Sequence, residues 1–214
     1  MKSLKENFQK AHIVIIGSGI IGKFNALELS KLGFQVTIID PTELRNSSYA
    51  ALGLLMGNMY QKRRGRSWDL RKQSIELWPQ WITFLQTFNC ELNIEKPLLQ
   101  LTTDEEKFKK LEKFVYENDD QNLRILERDS IFIKNINEAF QTKNIKGMIS
   151  FKDGRINPFS LLQTLDKYLK HKKINFSEEE IIKIESPSKI LKLISLASLI
   201  NFSNFLNFSS FVVS

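Results

Sequence analysis

Cysteine is almost missing from this chain. One residue, Cys90, stands among 214, which excludes an internal disulfide framework and any zinc site built on cysteine pairs. Histidine is as scarce: His12 and His171 are the two present, too few for a histidine-based metal site. Nine glycines and five prolines exclude collagen-like repeats. No signal-peptide core is expected, because Met1 to Lys10 is polar and lysine-rich and the apolar run that follows is only about five residues. The expected location is cytoplasmic. Neither charge sign dominates: 31 Lys and Arg face 24 Asp and Glu, a net charge of +7. That balance suits anionic partners, nucleotides included, without choosing among them. Hydrophobic residues at 42% and charged residues at 26% exclude global disorder and a polytopic membrane protein. A chain of this length forms one large domain or two small ones and buries roughly 70% of its unfolded surface.

What is present begins at the N-terminus. Residues 12–16, His-Ile-Val-Ile-Ile, are a short β-branched run of the kind buried in a parallel sheet. They lead into Gly17-Ser18-Gly19-Ile20-Ile21-Gly22 and then into a helical pattern carrying Ala26, Leu27, Leu29 and Leu32. Gly33 marks the helix end. Phe34 to Ile39 read as a second strand, closed by Asp40-Pro41. The unit is βαβ. Gly17 suits the tight strand-to-helix turn, Gly19 lets a pyrophosphate reach the backbone, and Gly22 lets helix and strand pack closely. The helix start offers amide donors and about half a positive charge to phosphates. Asp40 sits where a carboxylate accepts ribose hydroxyls and repels the extra phosphate of NADP. Strand, helix, second strand and acid agree, so the pattern predicts dinucleotide binding. It does not choose between FAD and NAD.

Residues 45–57 carry hydroxyls at Ser47 and Ser48 and small residues at Ala50, Ala51 and Gly53. Hydroxyls bond phosphate oxygens, and small residues admit a planar ring close to the backbone. On spacing alone, a helix turn followed by a plain loop fits these residues equally well. Taken with Asp153-Gly154-Arg155-Ile156-Asn157-Pro158, the order of motifs resembles the FAD-dependent D-amino-acid oxidase family, in its glycine oxidase and sarcosine oxidase branches. The resemblance spans about residue 11 to about residue 185.

That resemblance implies FAD as cofactor. It places Gly17, Gly19, Ile20, Ile21 and Gly22 at the pyrophosphate, and Asp40 and Pro41 at the adenosine ribose. Ser47 and Ser48 would lie along the pyrophosphate and ribityl chain. Leu52, Gly53 and Leu54 would approach the flavin ring, and Ile181 the adenine end. Leu52 replaces the smaller residue more usual there. The implied fold is α/β: a Rossmann-like FAD-binding βαβ domain with an inserted, partly antiparallel α+β substrate domain, incomplete at the C-terminus. On this reading 11–90 is the first part of the FAD-binding domain and 91–150 a partial substrate-domain insertion. Residues 151–190 return to the FAD-binding domain, and 191–214 form an atypical uncharged tail. Family members are longer. Their substrate-carboxylate arginine and amine-pocket tyrosines lie in a C-terminal half with no counterpart here, so no catalytic residue is assigned.

Elsewhere the patterns are structural. Ile75, Trp78, Trp81, Ile82, Leu85 and Phe88 make a helix face, expected as core, with Pro79 kinking the helix or starting another. Lys62 to Arg66 is the densest basic run; a solvated loop fits it better than a nucleic-acid site. Residues 97–103 and 145–151 read as strands, and Asp104 as the cap of a helix with Phe108, Leu111, Phe114 and Val115 inward. Asn157 and Pro158 open an amphipathic helix through Leu161, Leu162, Leu165, Tyr168 and Leu169. Strands follow near 174–176 and 181–184. From 186 onward the charged residues are Lys189 and Lys192; Phe211 to Val213 fit either a last strand or part of a degenerate extension. Three functions follow. The first is an amine or amino-acid oxidase that reduces O2 to H2O2 and is impaired by truncation. The second is a catalytically inactive remnant that at most binds dinucleotide. The third is an NAD-dependent dehydrogenase. The expected partners are a small amino acid or amine, with a complementing C-terminal fragment or a second copy; neither nucleic acid nor a membrane is expected.

Overall fold

The computed structural model describes residues 12–41, 47–127, 130, 133–134, 145–185, 192–195 and 210–213. Arg45 and Asn46 of the hydroxyl-bearing stretch, and much of the tail from 186, lie outside the described residues. The chain divides into two compact units. The first is drawn from Met1–Ala51, Phe88–Cys90 and Pro158–Ser214, the second from Leu52–Thr87 and Glu91–Asn157.

The first unit is a parallel sheet with helices on it, the Rossmann-like arrangement that the sequence implies. Strand β1 (His12–Ile16) buries Ile13, Val14 and Ile15. Strand β2 (Gln35–Ile39) pairs with it in parallel, from His12↔Gln35 to Ile16↔Ile39. Helix α1 (Ile20–Lys31) makes the crossover and buries Ala26 and Leu27, each large apolar side chain of such a face worth about 1.5–3 kcal/mol. Gly33 takes φ +88° behind it, the left-handed conformation that glycine adopts without strain. The short helix α2 (Ser47–Ala50) follows. Helix α5 (Pro158–His171) starts at the proline, packs on α1 and buries Leu161, Leu162, Leu165, Tyr168 and Leu169. Strand β8 (Asn175–Ser177) pairs with β2, and β11 (Ser210–Val213) lies on the other side of β1, both parallel. The order is β11-β1-β2-β8. Residues 211–213 are therefore strand. Strands β9 (Ile181–Glu185) and β10 (Lys192–Ser195) form a separate antiparallel pair.

The second unit is antiparallel. Strands β4 (Leu98–Thr102), β5 (Leu123–Leu126) and β6 (Lys146–Ser150) take the order β4-β6-β5. Helix α4 (Glu105–Asn118) lies on them, capped as expected by Asp104, whose Oδ1 accepts from Glu106 N at 2.9 Å and Lys107 N at 3.1 Å. Phe108 and Leu111 are buried, whereas Phe114 and Val115 reach only half-burial. The core joins Met59, Leu111, Leu123 and Met148. Strands β3 (Leu54–Leu55) and β7 (Gly154–Arg155) pair antiparallel.

Helix α3 (Arg66–Leu85) departs from expectation in part: no second helix starts at Pro79, and little of its apolar face is buried. It runs unbroken through Pro79, which is exposed, so the carbonyl left without an amide partner one turn earlier can turn toward water. Of its apolar face only Ile82 and Leu85 are buried; Trp78 and Trp81 are half-buried. By contact this helix belongs to the same unit as the antiparallel sheet. In the basic run, Lys62, Arg64 and Arg66 are exposed. Arg63 instead donates to Asn118 Oδ1 and to Asn58 O and lies 5.5 Å over Trp68. Among the described residues no helix is long and apolar enough to cross a membrane, and no cluster of His, Cys, Asp and Glu could hold a metal.

Candidate dinucleotide site

The parallel register brings the ends of β1 and β2 level. Gly17 N donates to Ile39 O at 2.8 Å, and Gly17 then turns with φ +98°, which a side chain would strain. The chain enters α1 through Gly19, extended at φ −67° and ψ −178°. A Cβ on Gly22 would stand 2.0 Å from Gly17 O and 3.3 Å from Ile15 Cγ2. Helix, turn and strand are thus packed to backbone contact, and only glycine satisfies position 22.

The start of α1 is prepared for an anion. Its first amides have no partner within the helix, its first turn holds no acidic residue, and Gly19 brings no capping side chain. The contrast is α4, whose first turn carries Glu105 and Glu106 behind the Asp104 cap. Ser48, from α2, approaches instead: its Oγ accepts from Ile20 N at 3.0 Å. A Cβ on Gly19 would lie 3.1 Å from that hydroxyl. Asp40 follows β2 directly, and its Oδ2 accepts from Ser18 N at 2.5 Å. The carboxylate therefore points at the glycine turn. Its own amide donates to Ser177 O at 3.0 Å, which fixes the segment to β8.

The first unit thus brings together Gly17, Gly19, Ile20, Gly22, Asp40 and Ser48. Ile21 is exposed in the first turn of α1, Pro41 is exposed beside Asp40, and Ser47 opens α2 exposed. Ile181 begins β9, which pairs with β10 and not with the parallel sheet. A donor-rich helix start, a hydroxyl beside it and a carboxylate facing the same turn fit the diphosphate and ribose of a dinucleotide.

Leu52, Gly53 and Leu54 belong to the second unit. Gly53 has φ +70°, and its carbonyl accepts from Ile156 N at 2.9 Å. Leu54 pairs with Arg155, and Leu52 O accepts from Arg155 Nε at 3.2 Å. Leu52 is 72% exposed and Leu54 47%, so both side chains are available to a flat apolar ligand. The Asp-Gly-Arg stretch is the support of this segment. Asp153 is buried, and its carboxylate accepts from Gly57 N at 2.8 Å, Asn58 N at 2.9 Å and Met59 N at 2.7 Å.

Two residues escape the sequence reading. Lys23 on α1 is 4% exposed, and its Nζ lies 2.5 Å from Asp166 Oδ1 on α5. Both carry a readable sign: Lys23 shares a helix face with Ala26 and Leu27, and Asp166 falls in the stripe of Leu162, Leu165 and Leu169. A charge at an apolar-face position demands a partner.

A family model described as FAD dependent oxidoreductase matches residues 12–195. No curated protein matches the chain. Among solved structures, glycine oxidase from Geobacillus kaustophilus is similar at TM-score 0.70 and 22% identity, over 88% of this chain and 52% of that one. Iminodiacetate oxidase from Chelativorans sp. is similar at TM-score 0.72 and 16% identity, over 86% and 51%. L-alpha-glycerophosphate oxidase from Mycoplasma pneumoniae, solved with FAD bound, is similar at TM-score 0.64 and 17% identity, over 95% and 52%. The chain spans about half the length of these structures.

Proposed function

We propose, from the premise that the chain belongs to the FAD dependent oxidoreductase family, that it binds FAD and oxidises a small amino acid or secondary amine to the imine. The reading is carried by one observation: Asp40 and Ser48 converge on the amide-rich start of α1 from two separate elements. The likeness to glycine oxidase and iminodiacetate oxidase supports an amine or amino acid as the substrate class.

In this proposal the amides of Ile20, Ile21 and Gly22, with the Ser48 hydroxyl, hold the diphosphate. Gly17 and Gly19 keep side chains out of its way. Asp40 accepts the ribose hydroxyls, with Pro41 beside it, and Ser47 lies along the chain to the ring. Leu52, Gly53 and Leu54 meet the flavin ring, and Ile181 the adenine end. FAD held by these residues would supply two-electron oxidation: the hydride from the amine C–H and the proton from its N–H would together reduce O2, so that amine and O2 become imine and H2O2. The protein's part is to bind and orient; the neutral amine requires no strong protein base, and no catalytic side chain is assigned.

The test is the purified full chain. FAD released on denaturation, together with peroxide formed from glycine, sarcosine or a D-amino acid, supports the proposal. Bound FAD with no peroxide from any of them supports the alternative, binding without turnover. A colourless protein whose tryptophan fluorescence NADH quenches overturns the flavin assignment in favour of a dehydrogenase.

A further inference from the structure

The antiparallel sheet has two different faces. Met148 and Leu123 share one with Leu111 of α4. The other carries Ile149 and Leu126, buried with Ile133. Arg124 belongs to this second face: Leu99, Ile149 and Arg124 stand in one cross-strand row of β4, β6 and β5. A cation set into an apolar row calls for an anion. Among the described residues Arg124 has no acidic partner and donates no hydrogen bond. Its guanidinium instead lies 5.5 Å over the Phe151 ring, which is 40% exposed.

With Gln121 and Asn122 these two side chains line a shallow hollow of about 250 Å³. Its wall is fixed by hydrogen bonds. Phe151 N donates to Asn122 O at 3.0 Å, and Asn122 N and Nδ2 donate to Asp120 Oδ1 at 2.9 and 2.8 Å. Asp120 lines a neighbouring hollow. Its other oxygen accepts from Asn58 Nδ2 at 2.9 Å and meets Lys152 Nζ at 3.5 Å, so its charge is already matched. Gln121 is exposed, and its carboxamide bonds no described residue. A guanidinium fork resting on an aromatic ring suits a planar carboxylate, and the Gln121 amide offers a further donor. We propose that this hollow binds a small carboxylate with an apolar body: Arg124 takes the carboxylate, Gln121 assists, and Phe151 meets the body. The inference stands apart from the flavin reading, which uses none of these residues.

The experiment is calorimetry on the full chain, with and without added FAD, using benzoate and its neutral isostere benzamide. The parent binds benzoate about tenfold more tightly than benzamide, the scale of one charge-assisted bond. Arg124→Met removes that preference, and Arg124→Lys keeps part of it. Phe151→Leu weakens both ligands by about threefold. Lys152→Met, a cation of the neighbouring hollow, leaves benzoate within about twofold of the parent. A parent that binds the two ligands alike overturns the inference, as does a preference that survives Arg124→Met, whether or not FAD is present. Inorganic phosphate bound as tightly as benzoate, or an equal loss in Lys152→Met and Arg124→Met, shows general attraction to positive charge and overturns it too. If Arg124→Met does not fold, Arg124→Gln decides. Failure of the chain to hold FAD overturns the flavin reading and leaves this result untouched.

Discussion

Asp40 Oδ2 accepts the backbone N–H of Ser18 at 2.5 Å, so the acid at the end of β2 faces the turn that opens α1. A ribose placed there would donate its hydroxyls to the same carboxylate. Asp40→Ala is expected to weaken ADP binding by about tenfold to a hundredfold, the loss of one or two hydrogen bonds to a charged acceptor. The parent should prefer ADP to 2′-deoxy-ADP, and Asp40→Ala should bind the two alike. Calorimetry with both nucleotides checks this; an undiminished preference in the variant places the ribose elsewhere.

Glycine positions 19 and 22 fail in different ways. At Gly22 the Cβ would meet backbone, Gly17 O at 2.0 Å, so Gly22→Ala must displace the turn and should destabilise the chain by about 3 kcal/mol or more. At Gly19 the neighbour is the Ser48 hydroxyl at 3.1 Å, and φ is ordinary. Gly19→Val should keep its circular dichroism and lose its flavin, because the side chain covers the helix amides. A Gly19→Val protein as yellow as the parent would place the diphosphate elsewhere.

Asp153 accepts three amides from 57–59. Asp153→Asn presents an NH2 group where an acceptor is needed and leaves a buried donor unmet. The expected loss is about 3 kcal/mol, read from urea unfolding. A loss under about 0.5 kcal/mol, as at an ordinary surface site, would mean that the three bonds do not hold the segment.

Asp120 is held at about 2, chiefly by the Asn122 side-chain amide, then by the Asn122 backbone N–H, with Lys152 and Asn58 adding. The folded value lies below the unfolded one, so the unfolded chain binds the proton more readily. Its contribution is present above about pH 4 and fades as pH falls toward 2. Asp120→Asn should flatten the acid limb of the stability curve between those values. If the limbs of parent and variant superimpose, the Asn122 bonds contribute nothing to folding.

The βαβ unit could be read because each step has a local cause: a β-branched run, glycines at fixed spacing, an amphipathic helix, an acid at the second strand end. Asp104 was legible for the same reason, since a cap acts on amides two and three residues away. The role of Asp153 was not, because its amides lie more than ninety residues earlier. Lys23 is hidden because a lysine in an amphipathic helix reads as surface, and only the neighbouring apolar positions betray it. The continuity of α3 through Pro79 was hidden too: whether a freed carbonyl finds water depends on exposure, which periodicity does not give.

The distance between Asp153 and its amides has a consequence during synthesis. Gly57 leaves the ribosome 96 residues ahead of its acceptor. At about 5–20 residues per second this is a wait of roughly 5–20 s. Over that interval the 57–59 turn has no internal acceptor and must be solvated or guarded by a chaperone. A nascent chain stalled before 153 should therefore be cut by protease at this turn, and one released past 158 should resist.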